Sequence, residues 1–169
     1  MTNADEDRRP VRHRQDGEMT LSCLGPSPDP PFEQVTSAAV VAVTDDGRLV
    51  VADLARGLDI PGGHVQRGES SIDETVRREA WEEVRVQLGV LHPVEVIESD
   101  YFGADDLTYM VIRTGRVAEL GPWEATHESA GRVVIDPEEF LRSYRGGDPA
   151  LMRHLVTTAL ATLAALPTP

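Results

Sequence analysis

Lysine is absent from this chain: all 16 of its basic residues are arginine. The plainest cause is the coding bias of a GC-rich genome. Positive charge is also scarce overall, and the formal net charge is −13. Binding to a nucleic-acid backbone rests on clustered positive charge, so a nucleic-acid polymer is not the expected partner. The same field repels free nucleotides, and any phosphate substrate has to rely on a metal and on local arginines. Cysteine is limited to Cys23. No intrachain disulfide can form, and a reduced, cytoplasmic setting fits best. The stretch from Thr20 to Pro26 offers no basic group to activate that thiol, so it reads as a small buried residue. Long apolar runs are missing as well. The most apolar stretch, Leu155 to Leu166, has 12 residues of which three are threonine, too short to cross a bilayer. Asp5, Glu6, Asp7, Arg8 and Arg9 near the start leave no apolar core for a signal peptide. Neither a membrane nor an internal repeat is expected.

What is present suits a small enzyme. A chain of 169 residues, 40% hydrophobic, is enough for one core and too short for a comfortable second. Residues 1–31 read as a flexible polar tail and a stiff proline-rich lead-in, and residues 32–166 as the domain. Ala38 to Val43 and Arg48 to Asp53 are apolar runs around Thr44-Asp45-Asp46-Gly47, a hairpin signal with glycine where positive φ is wanted. Leu58 to Ile60, Val94 to Glu98, Leu107 to Arg113 and Arg132 to Ile135 read as further strands. Asp136-Pro137 opens a brief helix, with a capping acid and proline at the first position. Asp148-Pro149 opens the last helix, whose Met152, Leu155, Val156, Ala159, Leu163 and Leu166 share a face. Strands with interleaved helices favour an α/β fold, an α/β/α sandwich around a mixed sheet.

The chemistry is concentrated between Gly62 and Val86, GGHVQRGESSIDETVRREAWEEVRV. Ser71 with Glu74 three residues on forms a capping box, which starts a helix at Ser71. Ile72, Val76, Ala80 and Val84 recur every four residues as its buried stripe. Glu79, Glu82 and Glu83 stand three and four apart and share one face. Three carboxylates there repel one another, and a divalent cation with a preference for hard oxygen ligands makes the arrangement favourable. Pro61-Gly62-Gly63 reads as a sharp turn after a strand, and Gly68 as a compliant loop position. The duller reading of Arg78 and Glu82 is an exposed i,i+4 pair of about 0.3–0.5 kcal/mol, and the glycines and Glu69 at matching offsets argue against it.

These residues resemble the Nudix box, in which Gly, five residues, Glu, seven residues, Arg-Glu, an aliphatic residue, any residue, Glu-Glu, any residue and Gly follow in order. Gly63 and Glu69 match its first part, and Arg78-Glu79-Ala80-Trp81-Glu82-Glu83 its second. Two positions depart. Eight residues separate Glu69 from Arg78, which places an extra residue at Ser70 in the loop, and Arg85 stands where the motif has glycine. If that position is left-handed, a side chain there costs about 1 kcal/mol. The resemblance implies a Mg²⁺-dependent (or Mn²⁺-dependent) hydrolase of a nucleoside diphosphate linked to another group. By the same resemblance Glu79, Glu82 and Glu83 ligate the metal, with Glu79 also a candidate base, and Arg78 orients the acids. Glu69 either joins the metal shell or braces Arg78, and Gly62 and Gly63 border the substrate. Glu128 is the best candidate for a base from a later loop, and Glu124 the second. Dimers are common among such proteins, so a homodimer is the macromolecular partner the resemblance allows.

Two other readings compete: a regulator or binding module that keeps the fold without the chemistry, and an isoprenoid diphosphate isomerase. The complete acidic set argues against the first, and the position of Cys23, too near the N-terminus, against the second. No subgroup signature outside the box assigns the substrate. His64 and His127 read as exposed loop residues, Trp81 as a half-covered residue or a dimer contact, and Tyr101 and Phe102 as core residues, with base stacking the alternative.

Overall fold

In the computed structural model, residues 19–125 and 129–167 are described in full and residues 9–12 by their backbone. Among the described residues the strands are β1 (Arg9–Arg12), β2 (Thr20–Cys23), β3 (Val35–Val43), β4 (Leu49–Leu54), β5 (Gly57–Asp59), β6 (Gly62–His64), β7 (Val86–Leu88), β8 (His92–Ser99), β9 (Thr108–Leu120) and β10 (Gly131–Ile135). The helices are α1 (Ile72–Val84), α2 (Pro137–Ser143) and α3 (Pro149–Ala164). The sheet runs β1-β2-β8-β9-β3-β4-β10, with β5 on β4, β6 on β3 and β7 on β9. It is mixed, since β3 and β9 pair in parallel while β8 and β9 pair antiparallel.

Strand β3 shows why the sheet is covered on both faces. Successive side chains of a strand point to opposite sides. Ala38, Val40 and Ala42 meet Ile72, Val76, Ala80 and Val84 of α1, whereas Ala39, Val41 and Val43 meet Phe140 of α2 and Met152, Leu155, Val156 and Ala159 of α3. Both sets are apolar, so the strand reads as one continuous run instead of an alternating one. The result is the α/β/α sandwich, with the four-residue stripe of α1 buried as its spacing predicts. The Thr44–Gly47 hairpin also forms, with Gly47 at φ 82° and its N–H donating to the Thr44 carbonyl at 3.0 Å. No helix among the described residues is long and apolar enough to cross a membrane.

Several expectations need correction. The lead-in contributes to the sheet: β1 pairs with β2, and β2 pairs with β8 through Leu21, Ser22 and Cys23. Its proline-rich end is anchored by Asp29, which accepts two hydrogen bonds from the buried Arg113 guanidinium at 3.0 and 2.6 Å. Cys23, by contrast, is buried as expected, and burial together with the Glu95 charge pushes its thiol up to about 11, so it stays protonated. Strand β9 continues seven residues past Arg113 because Val86–Leu88, which no pattern marked as a strand, pairs with its far end. Tyr101 and Phe102 are exposed, forming an edge-to-face pair with centroids 4.9 Å apart, and not core residues.

The exit of α1 bears out the expected strain. Arg85 is left-handed, at φ 53° and ψ 42°, a conformation that glycine adopts without penalty. Its guanidinium compensates by lying 5.3 Å from the Trp81 ring centroid and pairing with Glu124 at 3.3 Å. Such a cation–π contact is worth about 0.5–1 kcal/mol, close to the backbone cost. Arg85→Gly is therefore expected to shift stability by less than about 1 kcal/mol in either direction and to leave turnover within a few fold. A denaturant melt showing a larger loss would mean that the side chain holds the helix exit by contacts beyond these.

Candidate active site

The site is built on the second half of α1, the loop that leads into the helix and the short strand β6. Ser71 caps the helix, accepting from the Glu74 N–H at 3.2 Å. Glu74 does not close the box on Ser71. Its carboxylate accepts instead from the N–H and hydroxyl of Ser70 at 2.9 and 3.1 Å, so the extra loop residue is held by the helix start. Gly68, at φ 93°, turns the loop before it.

Gly62 and Gly63 are not the sharp turn that the sequence indicates. They form β6, paired with Ala39 and Ala38 of β3, and neither has positive φ. Their lack of a side chain serves close approach. A Cβ on Gly62 would lie 2.4 Å from the Ala39 Cβ and 2.8 Å from the Ala38 carbonyl oxygen. A Cβ on Gly63 would lie 2.4 Å from Oε1 of Glu79. The Gly62 N–H donates to Oε2 of Glu83 at 3.2 Å. Thus β6 is the wall against which the two helix carboxylates stand, and Glu79 and Glu83 are buried there, 6% and 4% exposed.

Arg78 gathers the remaining acids. Its Nε–H donates to Oε1 of Glu69, its Nη1 donates to Glu79 at 2.7 Å and to Glu82 at 3.0 Å, and its Nη2 donates to the His64 carbonyl at 2.8 Å. Burial works against the guanidinium charge, but the hydrogen bonds it donates to Glu69 and Glu79 outweigh this and raise the Arg78 pKa. Glu69 is engaged at both oxygens: Oε1 by Arg78, and Oε2 by the Thr75 hydroxyl and the Gln66 N–H. Burial opposes its ionisation, yet these donors hold its pKa down, at about 2. Thr75, fully buried, was missed from sequence, although its place three residues before Arg78 on the same face was a readable signal.

The acid dependence follows from that shift. Glu69 has an ordinary value of 4.5 and a folded value of about 2, so its ionised form contributes stability above about 4.5 that is lost as pH falls through about 2. Glu69→Gln is expected to lower the melting temperature at neutral pH, with the penalty shrinking between pH 4.5 and 2. A penalty that stays constant through that window would mean that the ion pair with Arg78 is not what the carboxylate provides.

The three helix acids are not drawn together equally. Glu82 is half exposed and turned to Arg78, and among the described residues the oxygens of Glu79, Glu82 and Glu83 do not form a cluster within 4.8 Å of one another. Two buried hard-oxygen donors with room for water still match the demand of Mg²⁺, which keeps several waters and takes one or two carboxylates beside substrate phosphates. Glu124 lies at the helix exit, paired with Arg85. Glu128 and His127 lie outside the described residues. His64 is exposed, as expected.

Beside Glu83 opens a cleft of ≈ 770 Å³, which no sequence pattern indicated. Its lining includes the apolar Leu21, Ile97, Met110, Leu151 and Leu155 together with Arg56, Asp59 and Tyr144. Asp59 is held by the Ile60 N–H at 2.8 Å and Arg56 Nε at 3.0 Å. Burial, followed by the Asp59 charge, pushes the Tyr144 phenol up to about 12, so it is a hydrogen-bond donor at neutral pH.

Residues 34–155 match the family model described as the NUDIX domain. A comparison with curated protein sequences gives no match. Among solved structures, the Bacillus subtilis pyrophosphohydrolase BsRppH is similar at a TM-score of 0.70 and 16% identity, covering 92% of this chain and 96% of that one. The NUDIX domain of Shewanella oneidensis NrtR, complexed with ADP ribose, gives 0.62 at 15% identity, with 77% and 88% covered. A C. elegans Ap4A hydrolase in a binary complex gives 0.58 at 16% identity, with 78% and 99% covered. At these identities the likeness is one of fold.

Proposed function

We propose, on the premise that the chain belongs to the NUDIX domain family, that it hydrolyses the phosphoanhydride bond of a nucleoside diphosphate linked to another group. Two of the similar structures are named as a pyrophosphohydrolase and an Ap4A hydrolase. The observation that carries the reading to this chain is the pair of buried carboxylates, Glu79 and Glu83, standing against glycine-only backbone, with Glu83 lining the cleft. Arg78 pairs with Glu79, and a divalent cation would further offset the cost of buried charge of one sign. Glu79 and Glu83 would hold Mg²⁺, or Mn²⁺, with Glu82 as the third donor once it turns from Arg78.

A bound divalent ion neutralises the non-bridging phosphate oxygens and acidifies the attacking water. The chain's own residues set the geometry. Arg78 holds Glu79 in place, and Glu69, saturated by protein donors, braces Arg78 instead of joining the metal shell. The apolar part of the cleft lining suits a flat base, and Gly62 and Gly63, which also line the cleft, would border the diphosphate. As water's oxygen bonds to phosphorus, its proton passes to a carboxylate, Glu79 or the later loop acid Glu128, and the bridging P–O bond breaks to release the second phosphate. The single free cysteine fits a cytoplasmic setting, and a homodimer belongs to the same proposal.

The test is a panel of nucleotide sugars, dinucleotides and normal or oxidised nucleoside triphosphates, assayed for phosphate or pyrophosphate release with Mg²⁺ or Mn²⁺. Metal-dependent release from at least one class is expected. The second reading, a non-catalytic nucleotide-binding or regulatory module, draws on the likeness to the ADP-ribose-bound domain. Saturable binding of a panel compound with no metal-dependent release would establish it instead.

A further inference from the structure

Cys23, Glu95 and His154 come from β2, β8 and α3, three elements far apart in sequence, yet their ligand-type atoms all lie within 4.8 Å of one another. None of the three lines the cleft. Glu95 is 3% exposed and Cys23 8%. One oxygen of Glu95 is committed, since Oε1 accepts from the Gly25 N–H at 2.6 Å and the Val96 N–H at 3.0 Å. The other, Oε2, faces His154 Nε2 at 2.7 Å. The Cys23 thiol is buried beside them and makes no hydrogen bond among the described residues. The three side chains thus bring a sulfur, an imidazole nitrogen and a carboxylate oxygen to one point, a donor set of metal-ligand type.

We propose that Cys23, Glu95 and His154 form a second metal site, separate from the carboxylates of α1, for a borderline-soft divalent ion of the Zn²⁺ class. Sulfur and imidazole nitrogen with one carboxylate oxygen select Zn²⁺ or Co²⁺ over Mg²⁺, which prefers oxygen alone. Around a tetrahedral Zn²⁺ the ligand atoms stand about 3.3–3.6 Å apart, given bonds of about 2.0–2.3 Å. The ion therefore needs His154 to back away from Glu95 by roughly half an ångström while the sulfur closes in. The side chain of His154 is 44% exposed, which gives it that freedom, gives the ion an entry path and leaves the fourth position to water. On binding, the thiol proton passes to solvent as sulfur takes the metal. The bound ion clips β2 and α3 to β8. Because Leu151 and Leu155 of α3 flank His154 and line the cleft, it also fixes the wall that faces the substrate.

The test is a titration of the metal-free full-length protein with Co²⁺, followed by absorption. One equivalent is expected to give a near-ultraviolet thiolate-to-cobalt charge-transfer band with visible bands of tetrahedral intensity. Zn²⁺ should abolish both and Mg²⁺ neither. Glu83→Gln should keep the spectrum, which separates this site from the one on α1. His154→Gln, at a half-exposed position, should weaken Co²⁺ binding at least tenfold and remove the rise in melting temperature that Zn²⁺ produces in the parent. Cys23→Ser should lose the charge-transfer band. A weak octahedral spectrum without a sulfur band, or an equal Zn²⁺ effect on the melting of parent and His154→Gln, would overturn the assignment.

Discussion

Glu83→Gln is expected to lower turnover at least ~100-fold, about 2.7 kcal/mol of transition-state stabilisation, while the metal-free variant melts no lower than the parent. The two effects have opposite signs for one reason. Glu83 is 4% exposed, and its Oε2 accepts a 3.2 Å hydrogen bond from the Gly62 N–H, which a glutamine oxygen can also accept. What the substitution removes is charge. Without metal, that relieves repulsion from Glu79, one turn back on the same face. With metal, it removes a hard anionic ligand. Mg²⁺ should raise the melting temperature of the parent through linkage and that of the variant much less. Equal turnover of the two proteins on a substrate the parent cleaves would end the assignment of this face as the metal platform.

Gly63→Ala and Gly62→Ala, adjacent and chemically identical changes, are expected to fail in different ways. At Gly63 the added Cβ meets the end of the Glu79 side chain, 2.4 Å from Oε1 and 3.0 Å from Oε2. A flexible side chain can swing aside, so the fold should survive within about 1 kcal/mol. The displaced carboxylate no longer stands where it is needed, and misplacement by about 1 Å is enough to cost ~100-fold in rate. At Gly62 the Cβ meets Ala39 and the Ala38 carbonyl at 2.4 and 2.8 Å, which are backbone and core of β3 and cannot swing. Overpacking of that kind costs about 1–3 kcal/mol, read as a lower denaturation midpoint. Melting curves and single-turnover rates measured on both variants check the pair. A Gly63→Ala protein that melts early but retains full activity per folded molecule would reverse the roles assigned here.

The sequence by itself determined the local part of this protein. Helix α1 was legible because its three signals are short-range: a serine cap, an apolar residue every fourth position, and acids on one face, all set by the 3.6-residue turn. The left-handed exit at Arg85 was legible for the same reason, as the motif places glycine there. The strands β3, β4, β8 and β10 and the hairpin at Gly47 followed from apolar runs and turn chemistry. What escaped was decided by partners distant in the chain. Val86–Leu88 and the far half of β9 are strands because each supplies the other's hydrogen bonds, and β2 is one because β8 has an open edge. Gly62 and Gly63 look like a turn in any local reading, and only the presence of Ala39 on one side and Glu79 on the other turns them into a close-packed strand. The binding of Glu69 by Thr75, Gln66 and Arg78, the cleft between the sheet and α3, and the meeting of Cys23, Glu95 and His154 all depend on distances between elements. The chain's periodicity determines which face of each element is buried, but only the packed sheet determines which faces meet, because burial is non-directional while a hydrogen bond or a metal ligand has to be within a few tenths of an ångström of its partner.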